Sequence, residues 1–462
     1  MKMKIGELLA RHVMIPALDL KQGAQRLAEL ERLRASQYWP PARLSALRLA
    51  RLRKLLAHAF ETCTFYHQSF DRAGCGSAIA SLDDLRRFPL VSKADVKSSQ
   101  HALISTAFDR KALRSARTGG STGAALELFF DKRCQEMRNA AAMRSDEWAG
   151  RRLGEKVASL WGNPPIALSL KDRLRSALLE RILYLDTMAI NDESVGVFVE
   201  RWRRERPTVI FGHAHSIYML AQFVRDRGIR GIRPRGIIST SMMLLANERR
   251  VIEEVFGCQV SNRYGCEEVG LIAAECELHN GLHVNSEHVI VECVDEDGQP
   301  VGPGKQGEVV VTDLMNFGMP LVRYRVGDVA RWADTPCGCG RGLEVIRDVI
   351  GRTADFLLHS DGTLVAGVSL IERTLTKIPG LDQLQIIQEG LEEFVLNVVP
   401  GPEWDLAASA ALVEELQTVF GHHVAVTVVA RGALPVEASG KYRFSKRNIP
   451  LPGTLNAGRA AQ

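Results

Sequence analysis

Six consecutive residues, Thr118-Gly119-Gly120-Ser121-Thr122-Gly123, bring together three glycines and three hydroxyl side chains. Glycine lets a backbone turn tightly with its N–H groups facing outward, and the hydroxyls add donors, so the run is suited to cradle phosphoryl oxygens. No Walker lysine follows, and a plain Gly/Ser turn between strands explains the segment equally well when it is taken alone. The run also satisfies the G-x-S-x-G of a nucleophile elbow. That motif needs a helix after the serine, whereas ALELFF at 125–130 reads as a strand. GPGKQG at 302–307 leads into a strand rather than a helix and is a turn, not a dinucleotide fingerprint. Cys337-Gly338-Cys339 forms a knuckle that can present two thiolates to one ion, although C-x-C alone is a weak metal signature. Four further segments carry reactive groups: RYGCEEVG at 263–270, PLVRYRVGDVA at 320–330, GRTADFL at 351–357 and PVEASGKYR at 435–443.

These groups need elements to position them. Up to Gly74 the pattern is helical, with a break at Pro40-Pro41. In the helix that follows, Leu52, Leu55, Leu56 and Ala59 make the stripe that packs inward, and Arg43, Arg48, Arg51, Arg53 and Lys54 read as its solvated face. Membrane-surface binding is the minority reading of that basic face. Residues 75–350 mix helical and strand periods, as in an α/β domain; one helix spans Asn247 to Phe256 and is closed by Gly257. VIVECV and GEVVVT flank a turn-rich segment and predict a long-looped β-hairpin. After Gly351 the pattern predicts a strand over 385–399, a helix over 407–420 and a strand over 423–429, a small α+β domain.

Composition narrows the classes. With 462 residues, 46% hydrophobic and 24% charged, the chain is not disordered, collagenous or a disulfide scaffold. A net charge of +5, from 59 basic and 54 acidic residues, implies no strong preference for nucleic acid. Nine cysteines, an odd number, fit a reducing cytoplasm better than a disulfide framework. Glu7, Arg11 and His12 interrupt the N-terminal apolar run, and no stretch has the length of a membrane span, so a cytosolic, soluble protein is expected.

The loop at 118–123 and the four segments, in this order and at these intervals, resemble the core motifs of the adenylate-forming enzymes. The resemblance is closest to the phenylacetate–coenzyme A ligase branch, including the capsule-cluster and coenzyme F390 synthetase-like proteins. It covers nearly the whole chain, because Tyr38 to Gly74, ending FYHQSFDRAG, also resembles that branch.

The resemblance implies an α/β fold: a large multi-subdomain N-terminal adenylation domain over 1–350, with a helical segment to about 74, and a small mobile α+β C-terminal domain over 351–462. It implies an ATP-dependent ligase that converts a small-molecule carboxylic acid, expected to be aromatic, into an acyl-adenylate and passes the acyl group to coenzyme A. An amine or hydroxyl acceptor, AMP transfer as in F390 synthesis, or an accessory protein without turnover are the competing readings. Thr118, Gly119, Gly120, Ser121, Thr122 and Gly123 would hold the β- and γ-phosphates, and Tyr264 would stack near adenine. Glu268 would ligate magnesium, Asp328 would accept from the ribose hydroxyls with Arg352 nearby, and Lys441 would bridge the carboxylate and the α-phosphate. The C-terminal domain would rotate about 351–355. Trp161, His213, His215 and Tyr218 fall where the acyl pocket is expected, at least one of the two histidines being structural.

Some members of the branch also carry Cys and His before the hairpin and C-x-C after it, which implies a closed structural zinc site of Cys276, His283, Cys337 and Cys339, with His279 as the rival of His283. Monomer or homodimer, with no nucleic acid and no membrane insertion, completes the expectation. The sequence departs from the family pattern at Ala124 or Ala125, where a proline often lies, at Ala354 in the hinge, at Ser239-Thr240-Ser241-Met242, and at Glu267.

Overall fold

The computed structural model describes residues 5–117, 126–161, 181–186, 191–352, 356–361, 364–434 and 443–449. The chain divides into two compact units. One comprises residues up to Leu244, Val251–Val326 and Ala330–Val349; the other comprises Leu245–Arg250, Gly327–Val329 and the residues from Ile350 onward. Among the described residues, no helix is long and apolar enough to cross a membrane.

In the first unit the helix Pro41–Thr62 starts with proline in its first turn, where the missing N–H costs nothing. Leu52, Leu55, Leu56 and Ala59 are fully buried, as their spacing requires. The solvated basic face needs correction, because Arg48 and Arg51 turn inward. Arg48 pairs with Glu344, and Arg51 donates to the main-chain oxygen of Glu287 and contacts Met315 Sδ at 3.5 Å. Long arginine stems can run along a core and still bring the charge to a partner, which a polarity pattern does not register.

The strands are β1 Arg114–Arg117, β2 Glu127–Phe130, β3 Val157–Trp161, β4 Ile182–Asp186, β5 Val209–His213, β6 Gly236–Thr240, β7 Val260–Cys266, β8 Gly270–Glu275, β9 Leu282–Val284, β10 Val289–Val294, β11 Gln306–Asp313, β12 Tyr324–Trp332 and β13 Val345–Arg352. β1 and β2 pair as an antiparallel ribbon. The others form one sheet in the order β10-β11-β12-β13-β9-β8-β7-β6-β5-β3-β4. From β4 to β7 the pairing is parallel, with the helices Asp192–Glu205, Ala214–Asp226 and Ala246–Phe256 in the connections. From β7 onward the pairing turns antiparallel through β8 and β9. The two halves of the predicted hairpin pair as β10 and β11, Val289 opposite Asp313. The helix Ala246–Phe256 is followed by Gly257 at φ +71°, as predicted for its cap.

In the second unit, β14 Phe356–Leu358 pairs with β15 Leu364–Ala366. β16 Leu381–Gln388, β17 Glu393–Pro400, β18 Ala425–Ala430 and β19 Ser445–Arg447 form a sheet in the order β18-β17-β16-β19. The helix Leu406–Phe420 brings Phe420 against Phe394, ring centroids 4.6 Å apart. The single strand read over 385–399 is in fact two. Gly390 accepts from Glu393 N, and Glu389 N donates back to Glu393 O at 3.0 Å, closing a hairpin that the apolar alternation on both sides conceals.

One buried network ties the N-terminal helices to the sheet. Arg144 and Glu287, each 1% exposed, are bound at 2.7 Å; Arg144 also donates to Asn285 Oδ1 and Leu33 O, and Ser36 Oγ donates to Glu287 Oε1. Burial alone would raise the Glu287 carboxyl, but Arg144 outweighs it and brings the carboxyl down to about 2. A carboxyl lowered on folding stabilises fully above its unfolded value and loses that contribution as pH falls toward its folded value. Arg144→Ala is expected to cost about 3–5 kcal/mol in urea unfolding, because it strands a buried charge. Wild-type stability should fall between about pH 4.5 and pH 2 with a component that Glu287→Gln lacks. Identical acid profiles for the two proteins would contradict this.

Candidate functional site

The carboxyl ends of the parallel strands are where an open α/β sheet binds ligands. Trp161, His213 and Thr240 end β3, β5 and β6. Trp161 has its ring centroid 4.1 Å from that of His213, tilted by 44°, and stacks nearly parallel to Phe211 at 5.9 Å, so the three rings form an aromatic wall. His213 ends its strand and His215 enters the helix Ala214–Asp226, so the chain bends between them. Tyr218, on the same helix, has its ring 6.0 Å from that of His215.

Tyr264 sits on β7, just before the register shift between Tyr264 and Gly265. A Cβ at Gly265 would come 2.5 Å from Gly270 O, so glycine allows the two arms of this hairpin to close. The turn between β7 and β8 carries Glu267, exposed, and Glu268, which is buried. Tyr324 OH donates to Glu268 Oε1 at 3.1 Å, while the Glu268 main-chain oxygen accepts from Arg138 at 2.7 Å. A carboxylate oriented by a phenol, on a turn whose main chain is held separately by Arg138, suits a hard cation such as magnesium, which takes oxygen ligands and tolerates little displacement. Tyr324 belongs to the segment PLVRYRVGDVA and Arg138 to none of the motifs; the contacts of both with Glu268 arise only in the fold.

Asp328 follows Gly327, at φ +83°, on β12 and belongs to the second unit. Arg352 ends β13. The loop Thr118 to Gly123, residues 353–355 of the expected pivot, and Lys441 lie outside the described residues. The structure therefore brings Tyr264 and Glu268 onto one hairpin and leaves the rest of the nucleotide set to chemistry and comparison.

The second constellation lies at the other end of β8. The ligand atoms of Cys276, His283, Cys337 and Cys339 all lie within 4.8 Å of one another. Cys276 Sγ is 3.8 Å from Cys337 Sγ, and Cys339 Sγ is 3.4 Å from His283 Nε2. Tetrahedral zinc, with bonds of about 2.3 Å to sulfur and about 2.0 Å to nitrogen, sets these edges at about 3.8 and about 3.5 Å, so the donors fit. Burial pushes the Cys276 thiol up and the His283 imidazole down to about 4, leaving the imidazole neutral and able to ligate. His279 is outside the cluster, its Nδ1 3.3 Å from Glu275 Oε2.

Around the cluster Arg341 donates to Gln37 Oε1 at 3.0 Å and to Glu277 Oε1 at 3.0 Å, and Trp148 Nε1 reaches the same Gln37 oxygen at 2.9 Å. A Cβ at Gly342 would collide with Trp39 O at 1.9 Å. The knuckle thereby joins the end of β8, β9 and the corner between the N-terminal helices.

Residues 357–448 match the family described as the CapK C-terminal domain. A phenylacetate-coenzyme A ligase of Thermus thermophilus is 27% identical over 378 residues, 78% of this chain and 82% of its own length. Protein CapK of Staphylococcus aureus is 22% identical over 390 residues, 83% of this chain and 85% of its own. A crystal structure of 2-hydroxyisobutyryl-CoA ligase in the postadenylation state superposes with a TM-score of 0.72 at 20% identity, covering 89% of this chain and 91% of that one. The fold is thus that of the adenylate-forming CoA ligases. In sequence the chain is similar to phenylacetate-coenzyme A ligases and to CapK over most of its length.

Proposed function

We propose that the protein is an AMP-forming ligase. A carboxylate attacks the α-phosphate of ATP and expels pyrophosphate; the acyl-adenylate is then attacked by the coenzyme A thiolate, which expels AMP. The observation that carries this reading is the similarity to phenylacetate-coenzyme A ligases over most of the chain, joined to a Tyr264/Glu268 hairpin at the carboxyl end of the parallel sheet.

In this reading Tyr264 packs beside the adenine, the 118–123 loop takes the β- and γ-phosphates, and Asp328 and Arg352 bind the ribose side. Glu268 holds magnesium, which neutralises charge on the triphosphate. Lys441 bridges the attacking carboxylate and the α-phosphate. The wall of Trp161, Phe211 and His213 favours a planar, aromatic acid, because stacked rings bury large area in offset geometry. The C-terminal domain, taken from residue 351, moves Lys441 in for adenylation and out for thiolysis. Cys276, His283, Cys337 and Cys339 hold a structural zinc that pins β8 and, through it, the Tyr264 hairpin. The cytoplasm supplies the reduced thiols this requires.

An acceptor other than coenzyme A is the second reading, since residues 357–448 match a family named for CapK rather than for a coenzyme A ligase. Incubation with ATP, a panel of aryl and aliphatic acids, and either coenzyme A or hydroxylamine separates the two. Thioester formation with an aryl acid is expected. Hydroxamate with every competent acid but thioester with none would sink the coenzyme A assignment and leave adenylation standing.

A further inference from the structure

Arg138 belongs to none of the motifs, yet it touches the elements that a metal-triphosphate site must keep in register. Its helix, Lys132–Trp148, follows directly on β2, the strand that leads away from the 118–123 loop. The guanidinium lies 4.0 Å from the centroid of the Phe130 ring at the end of that strand. From there Nη2 donates to the main-chain oxygen of Glu268 at 2.7 Å and to Asp313 Oδ2 at 2.9 Å, and Nη1 reaches Glu267 O at 3.4 Å. The side chain is 14% exposed and Asp313 only 3%. Asp313 is itself fixed, its Oδ1 accepting from Met315 N at 2.9 Å.

Two neighbours show that this placement is built in. Gly270, at φ +76°, faces Arg138 so closely that a Cβ would meet three of its side-chain atoms at 3.0–3.1 Å. Cys134 packs its Sγ 3.9 Å from Asp313 Oδ2, with its thiol pushed well above the usual range by burial and by that carboxylate. A planar fork with several donors can serve a carbonyl, a carboxylate and an aromatic face at once, whereas an ammonium cannot.

The geometry points to Arg138 as the positioning residue that sets Glu268 against the triphosphate, by tying the outgoing strand of the phosphate loop to the turn that carries Glu268. It acts through the Glu268 main chain, without touching the nucleotide. The inference rests on the proposed role of Glu268.

The test uses the full chain, with Mn²⁺ and ATP as probes and water-proton relaxation as the readout. Arg138→Met is expected to raise the Mn²⁺ dissociation constant at saturating ATP by about tenfold, the size of a lost supporting partner, while metal-free ATP binding changes by less than about twofold. In a Glu268→Gln background the same substitution should add nothing, because the two act as one unit. Unchanged Mn²⁺ affinity in Arg138→Met, or an equal further loss in the Glu268→Gln background, overturns the inference. Glu268→Gln alone is the control: if it leaves Mn²⁺ binding intact, the reading of Glu268 fails, and the role of Arg138 falls with it. Should Arg138→Met not fold, Arg138→Lys carries the test, since it keeps the charge beside Asp313 and loses the second arm. The same rise is then expected with melting temperature preserved, and unchanged Mn²⁺ affinity overturns the proposal.

Discussion

Lys441→Ala is expected to lower acyl-adenylate formation by at least about 10²–10³-fold while leaving thiolysis of a supplied acyl-adenylate nearly intact. The asymmetry follows from charge. In the first half-reaction two anions, the carboxylate and the triphosphate, must approach, and negative charge builds on the oxygens around the α-phosphorus. A cation that bridges both lowers that barrier more than it stabilises either reactant alone. In the second half-reaction the repulsion has gone, pyrophosphate has left, and a lysine at the same place would obstruct the incoming thiol. Single-turnover assays of the two steps, run separately on the variant, measure the difference. Equal losses in both would contradict a C-terminal domain that serves the two steps in different positions.

Cys276→Ser is expected to reduce zinc from about one ion per chain to near none, as measured by elemental analysis of the purified protein. The consequence should reach beyond the knuckle. Cys276 follows directly on β8, which pairs with β7 from Arg263 to Cys266, so loosening one end of that hairpin loosens the end that holds Tyr264. His283, with its ring 5.9 Å from Trp148, and Arg341, bound to Gln37, connect the same site to the N-terminal helices. Amide exchange should therefore rise in two separate stretches, about 263–275 and about 33–44, with a lower melting temperature. Wild-type protein purified without zinc, or a Cys276→Ser protein that keeps it, would refute the assignment.

The sequence discloses those parts of the molecule whose determinants are local. The buried stripe of Leu52, Leu55, Leu56 and Ala59, the cap at Gly257 and the pairing of VIVECV with GEVVVT each depend on residues within a few turns or one hairpin of one another. Determinants that act across the chain were hidden. Arg48 and Arg51 look solvated until Glu344 and the Glu287 carbonyl, more than 230 residues away, come beside them. The hairpin between β16 and β17 hinges on Gly390, a single turn signal inside a long apolar alternation. Spacing alone does not separate His279 from His283; the turn that points His279 at Glu275 does. In the nucleotide hairpin, Tyr264 and Glu268 stand out by residue type, whereas Tyr324 and Arg138 gain their importance only where β12 and the helix Lys132–Trp148 arrive beside that turn.

Adenylation is the claim on which the rest depends, and pyrophosphate exchange isolates it from the identity of the acceptor. The protein, supplied with magnesium, ATP and labelled pyrophosphate but no coenzyme A, is predicted to return label to ATP only when a carboxylic acid is present, most rapidly with a planar aromatic acid. Label returned without any acid, or none returned across the whole panel of aryl and aliphatic acids, would contradict the account.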